Sequence, residues 1–153
     1  MEITRLFDIL ELYRSEYAEK TDAFSKHADN KWVTYSAKDY IDLAENFAYG
    51  LIELGLERGD KISTISQNRP EWNFVDMGMA MAGVVHVPIY PTLSANDQVY
   101  ILNHSESKYL IISDRMLFQK VKPSLEEVTA LQDVFIMDEV EGEKYWMEIV
   151  ELG

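Results

Sequence analysis

The sequence contains no cysteine. Disulfides, thiolate nucleophiles and Cys-ligated zinc or iron–sulfur sites are therefore excluded, and a reducing cytoplasmic setting is compatible. Glycine is sparse as well. The seven glycines stand at 50, 55, 59, 78, 83, 142 and 153, never clustered as a phosphate-cradling loop requires for bare backbone N–H groups to approach an anion. Positive charge is the third shortage: 14 Lys and Arg face 27 Asp and Glu, for a net charge of −13. Such a balance repels nucleic acid and disfavours a polybasic membrane anchor. Long apolar runs are missing too, because Glu2, Arg5, Asp8 and Glu11 interrupt the first residues where a signal peptide or membrane span would need continuity.

What is present is enough apolar residue, 47% of 153, to bury one core. Residues 2 to 20 carry Ile3, Leu6, Leu10, Tyr13 and Tyr17 at helical spacing. The non-basic polar face argues for a stripe packed on a core over one lying on a membrane. Ala23 to Ala28 and Trp32 to Tyr35 flank the turn-prone Asp29-Asn30, which predicts a hairpin. Residues 1–35 thus read as helix plus hairpin.

From Ser36 onward the pattern changes. Ser36 with Asp39 forms a capping signal ahead of a 3.6-residue apolar period that runs to Gly55. A strand follows over 61–66, then a helix from Pro70 to Gly83, a strand over 84–89, a helix opened by Ser94, and a strand over 109–113. Asp114 caps a further helix, 133–137 reads as another strand, and 144–152 as an apolar helical pattern. This rhythm over 36–153 predicts an α/β fold, with a parallel β-α-β sheet covered by helices on both faces. Ligands of such sheets sit beyond the carboxyl ends of the strands, here Gln67-Asn68-Arg69, Tyr90-Pro91-Thr92 and Ser113-Asp114.

Few residues offer chemistry. His27, His86 and His104 lack metal-ligand spacing and read as structural, although His86 lies only four residues before Tyr90. No Gly-x-Ser-x-Gly elbow is present. Asp138, Glu139, Glu141 and Glu143 lack the alternation of a calcium loop and read as a solvated turn. Arg69 has two readings, a cation for a substrate anion or an ion pair with Glu71. Tyr90-Pro91-Thr92, stiffened by Pro88 and Pro91, either walls a pocket or simply turns the chain.

Four segments resemble the adenylate-forming, AMP-binding enzymes: WVTYSAKDY (32–40), LIELGLERGDKIS (51–63), AMAGVVHVPIYPTLSANDQVYILNHSESKYLIISD (80–114) and NRPEW (68–72). NRPEW paired with PIYPT (88–92) is similar to the long-chain fatty acyl-CoA synthetases in particular. The resemblance implies the N-terminal part of the large domain of a long-chain fatty acid–CoA ligase. Such a ligase uses ATP, Mg²⁺ and CoA to turn a fatty acid into acyl-CoA, AMP and pyrophosphate through an acyl-adenylate. The family's Ser/Thr/Gly-rich loop, Mg-binding Glu, ribose-binding Asp and catalytic Lys map onto nothing here and are expected beyond Gly153. The expectation is therefore a catalytically silent chain with no catalytic, cofactor or metal residue of its own, and Tyr90, Pro91 and Thr92 as its substrate contacts. A cytoplasmic setting with peripheral membrane contact, and self-association through uncovered apolar surface, accompany it. The rival reading is a self-contained α/β module that binds a ligand or protein at its strand-end loops. A phospho-receiver version is disfavoured because Ser66-Gln67-Asn68 stands where paired acids are needed.

Overall fold

The computed structural model describes residues 3–28 and 30–153. Glu2 and Asp29, which figure in the sequence reading, lie outside them. An N-terminal helix, α1 (Asp8–Glu16), precedes an antiparallel hairpin of β1 (Phe24–Ala28) and β2 (Lys31–Tyr35), in register from Phe24 opposite Tyr35 to Ala28 opposite Lys31. The remainder alternates: α2 (Ala37–Glu53), β3 (Lys61–Ile65), α3 (Pro70–Ala82), β4 (Val85–Ile89), α4 (Ala95–Ser105), β5 (Tyr109–Ile112), α5 (Arg115–Val121), β6 (Asp133–Ile136), β7 (Lys144–Tyr145) and α6 (Met147–Leu152).

The five strands β3–β7 form one parallel sheet in the order β4-β3-β5-β6-β7. Side chains alternate across it. Ile62, Tyr109, Ile111 and Phe135 meet Phe47 of α2, Phe74 of α3 and Ile149 of α6 on one face. Ile65, Leu110, Ile112 and Ile136 meet Leu102 of α4 and Phe118 of α5 on the other. Burial on both faces explains why β5 and Val134–Ile136 of β6 read as continuous apolar runs, while β3 buries Ser63 and Thr64 between its isoleucines.

Helix boundaries follow local chemistry. Ser36 Oγ accepts the Asp39 N–H at 3.0 Å while the Asp39 carboxylate accepts the Ser36 N–H at 2.8 Å, a complete capping box at the start of α2. Ser36→Ala is expected to lower unfolding free energy by about 1 kcal/mol, read as a fall in the urea midpoint at constant slope. Gly83, with φ 75°, takes the left-handed position that closes α3. Asp114 Oδ1 accepts the Leu117 N–H at 2.9 Å and starts α5, which gives way to a 3₁₀ turn over Lys122–Glu127 because Pro123 lacks the N–H an α-helix would use.

Two expectations are corrected. The helix predicted over 2–20 is confined to Asp8–Glu16. The Asp8 carboxylate accepts the Thr4 and Arg5 N–H groups and the Arg5 guanidinium, folding 4–7 into a turn instead of a helical lead-in. Leu10 is buried in the core while Ile3 and Leu6 stay exposed. The stretch 144–152 is not helical throughout: Lys144 and Tyr145 pair with Phe135 and Ile136 as β7, and the helix begins only at Met147. Two residues are too few to show a strand period.

β4 is an edge strand, hydrogen-bonded among the described residues only to β3. The Val85 N–H donates to Asp60 O at 2.7 Å, so Val85, Val87 and Ile89 turn their backbone groups toward β3. His86 and Pro88 turn theirs outward, and Pro88 has no N–H to offer.

Candidate functional site

In open parallel sheets, the crevice between adjacent strands whose connections leave in opposite directions is the usual ligand position. Here that point lies between β3, which leads to β4, and β5, which leads to β6. The chain fills it with its own side chains. Arg69 Nη1 donates to Ser113 O and, at 2.9 Å, to Asp138 Oδ1, and the Gln67 N–H donates to Ser113 Oγ at 3.2 Å.

Arg69 is otherwise engaged with Glu71. Its Nε and Nη2 donate to the two carboxylate oxygens at 2.9 and 3.0 Å. Lys26 Nζ of β1 donates to the same carboxylate, and the Tyr35 hydroxyl of β2 donates to it at 3.3 Å. Of the two readings for Arg69, the ion pair with Glu71 is the one formed. Burial alone would raise the Glu71 pKa, but the Arg69 and Lys26 hydrogen bonds outweigh it and hold the carboxyl down at about 2. Burial and then the Glu71 charge push the Tyr35 phenol up to about 12. The hub locks the hairpin onto the start of α3.

Displaced from the filled crevice, a cleft of about 980 Å³ opens beyond the ends of β3 and β4. Its walls are the Ser66–Pro70 segment, the Ile89–Thr92 segment and the hairpin, with Trp72 of α3 between them. Tyr90, Pro91 and Thr92 all line it, and Tyr90 is 77% exposed. They also turn the chain: the Leu93 N–H donates to Tyr90 O at 3.2 Å, with Pro91 at the second position, where its fixed φ favours a β-turn. The wall and the turn are therefore one structure.

Sequence reasoning missed the hairpin's contribution. Lys26, His27 and Trp32 line the same cleft, with Trp32 72% exposed and its ring edge-on to His27 at 5.5 Å. The anchoring contact joins residues 26 and 71, and no local pattern signals a pairing of that span.

His86 behaves as a strut. Its Nδ1 lies 2.6 Å from Asp76 Oδ1 and its Nε2 2.8 Å from Thr64 Oγ1, with the Trp72 ring 5.1 Å away. A hydroxyl, an imidazole and a carboxylate in line resemble a nucleophilic relay. Thr64 borders the cleft but is only 1% exposed, with its Oγ1 engaged by His86.

Among the described residues no carboxylate lines the cleft, and no group of three or more His, Asp or Glu is placed to hold a metal ion. With glycine equally absent from the cleft, these residues do not fit a magnesium–triphosphate group. The Glu139, Glu141 and Glu143 turn is solvated, with Glu143 paired to Lys122 at 2.7 Å. Among the described residues no helix is long and apolar enough to cross a membrane.

The fold and cleft define a parallel α/β scaffold, covered on both faces, with a strand-end pocket. The family model for AMP-binding enzymes matches residues 14–151, and the chain belongs to that family. Fatty acyl-CoA synthetase A of Dictyostelium discoideum is 42% identical over 89 residues, 58% of this chain and 13% of that protein. Long-chain-fatty-acid–CoA ligase ACSBG2 of Xenopus laevis is 28% identical over 144 residues, 91% of this chain and 19% of that one. Among solved structures, a long-chain-fatty-acid-CoA ligase of Archaeoglobus fulgidus superposes with a TM-score of 0.80 at 22% identity, over 99% of this chain and 31% of that one. The chain thus spans less than a quarter of the length of these curated relatives.

Proposed function

We propose that residues 1–153 are the N-terminal part of the large domain of a long-chain fatty acid–CoA ligase, catalytically silent alone. The complete ligase would join a fatty acid to CoA through an acyl-adenylate, consuming ATP with Mg²⁺ and releasing AMP and pyrophosphate. This part supplies the sheet and an acyl-side wall made by Tyr90, Pro91 and Thr92. The reading rests on one observation: the cleft walled by the Tyr-Pro-Thr turn lies at strand ends of a chain whose relatives carry fatty acyl-CoA ligase names. The enzyme's ATP, Mg²⁺ and CoA chemistry belongs to residues that this chain does not contribute. A cytoplasmic setting, peripheral membrane contact and self-association through apolar surface are parts of the same proposal.

Given ATP, Mg²⁺, CoA and palmitate, the chain alone is expected to form no palmitoyl-CoA, and turnover by this chain overturns the reading. Its cleft is tested by titration with oleate below the micellar range, followed through the fluorescence of Trp32 and Trp72. Tyr90→Ala is expected to weaken binding about tenfold, the loss of roughly one aromatic contact surface. Undiminished binding by that variant removes the cleft from the acyl surface.

A further inference from the structure

The wall turn is held from behind by residues that line no part of the cleft. Lys120 of α5 places its Nζ 2.9 Å from Pro91 O and 3.0 Å from Leu93 O. Gln98 of α4, fully buried, reaches Tyr90 O with Nε2 at 3.4 Å. Its Oε1 has no partner among the described residues, a costly burial that only its donor end offsets. Three of the four carbonyls in Tyr90–Leu93 are thereby collected by side chains from the two helices behind.

Six of the nine lysines, Lys20, Lys26, Lys38, Lys108, Lys122 and Lys144, meet a carboxylate. Among the described residues Lys120 is the lysine whose ammonium donates to backbone carbonyls. In a chain with 27 acidic residues, the Lys120 ammonium instead goes to two carbonyls of a single turn. Two acceptors two residues apart need one donor atom carrying several N–H bonds, and an ammonium carries three. Pro88 and Pro91 restrict the backbone within this segment, and Lys120 fixes its position relative to α5.

We infer that Lys120 is a positioning residue for substrate binding: it holds the Tyr90-Pro91-Thr92 wall in the conformation that receives the acyl chain, with Gln98 as its second tether. The inference rests on the acyl-side reading of the cleft. Without the ammonium the turn spends part of its time elsewhere, and apparent affinity falls by the fraction of competent molecules.

The test uses the 153-residue chain with oleate as probe. Lys120→Met keeps the length of the stem and removes the donor. It is expected to raise the oleate Kd about fivefold, to speed hydrogen exchange at the Leu93 amide, and to leave the urea midpoint nearly unchanged because Lys120 is exposed. Lys120→Arg, which retains several donors, is expected to recover most of the affinity. Unaltered oleate affinity in Lys120→Met, alongside weakened binding in Tyr90→Ala, overturns the positioning role and leaves the cleft reading intact. Unaltered binding in Tyr90→Ala removes the cleft reading itself. Leu93 exchange that is unchanged in Lys120→Met overturns the tether even where no oleate is bound.

Discussion

Glu71→Gln is expected to lower unfolding free energy by about 3 kcal/mol. Glu71 is almost fully buried, and the Arg69 side chain is only 12% exposed. Neutralising the carboxylate leaves that guanidinium and the Lys26 ammonium facing an amide whose NH₂ group opposes them. The pH dependence follows from the sign of the shift. A carboxyl whose pKa falls on folding, from an ordinary 4.5 to about 2, adds stability that is fully present above the ordinary value. That stability drains away as pH falls toward the folded value. Urea midpoints measured from pH 7 down to pH 2 should therefore show an acid-sensitive step in the wild-type chain that is much reduced in Glu71→Gln. Equal slopes in the two proteins would mean that the hub contributes nothing to acid sensitivity.

Gly78→Ala should destabilise the chain by about 2–3 kcal/mol, for a steric reason. A methyl group there would sit 2.7 Å from Phe47 Cδ1 and 2.8 Å from Ala44 O. Phe47 is completely buried and the Ala44 carbonyl is helix backbone, so neither can move aside cheaply. The close crossing of α2 and α3 depends on this bare position. Gly50 shows a related contact in which its added methyl would strike Ile149 O. Because α6 is short, Gly50→Ala is expected to undock it locally. Hydrogen exchange confined to 147–152 in Gly50→Ala, against a global fall in the urea midpoint in Gly78→Ala, distinguishes the two cases.

How far the sequence discloses this architecture depends on the range of the interactions involved. β5 and β6 are legible because burial on both faces leaves Leu110–Ile112 and Val134–Ile136 as apolar runs, whereas β3 is legible from its β-branched residues although Ser63 and Thr64 are polar. α2 is legible because Ser36 and Asp39 announce its start. β7 is not, since its two residues are defined only by their partners on β6. α1 is overextended by its periodicity because the Asp8 carboxylate competes locally for the amides that a longer helix would have used. Within the cleft, Tyr90, Pro91 and Thr92 are reached from the strand-end rule together with two prolines. Trp32 and His27 are not, because the Lys26–Glu71 contact that carries the hairpin to the cleft joins distant parts of the chain. Lys120 is invisible for the same reason: its partners are backbone carbonyls, which leave no trace in side-chain identity.

The outward face of β4 bears on how this chain behaves at high concentration. A bare strand edge is a template on which like strands can stack into fibrils, and it recruits them through its free N–H groups. With Pro88 at one of the two outward positions, that edge can offer a newcomer the His86 donor but not the next one along. Cross-β growth from this side would stall after a single rung.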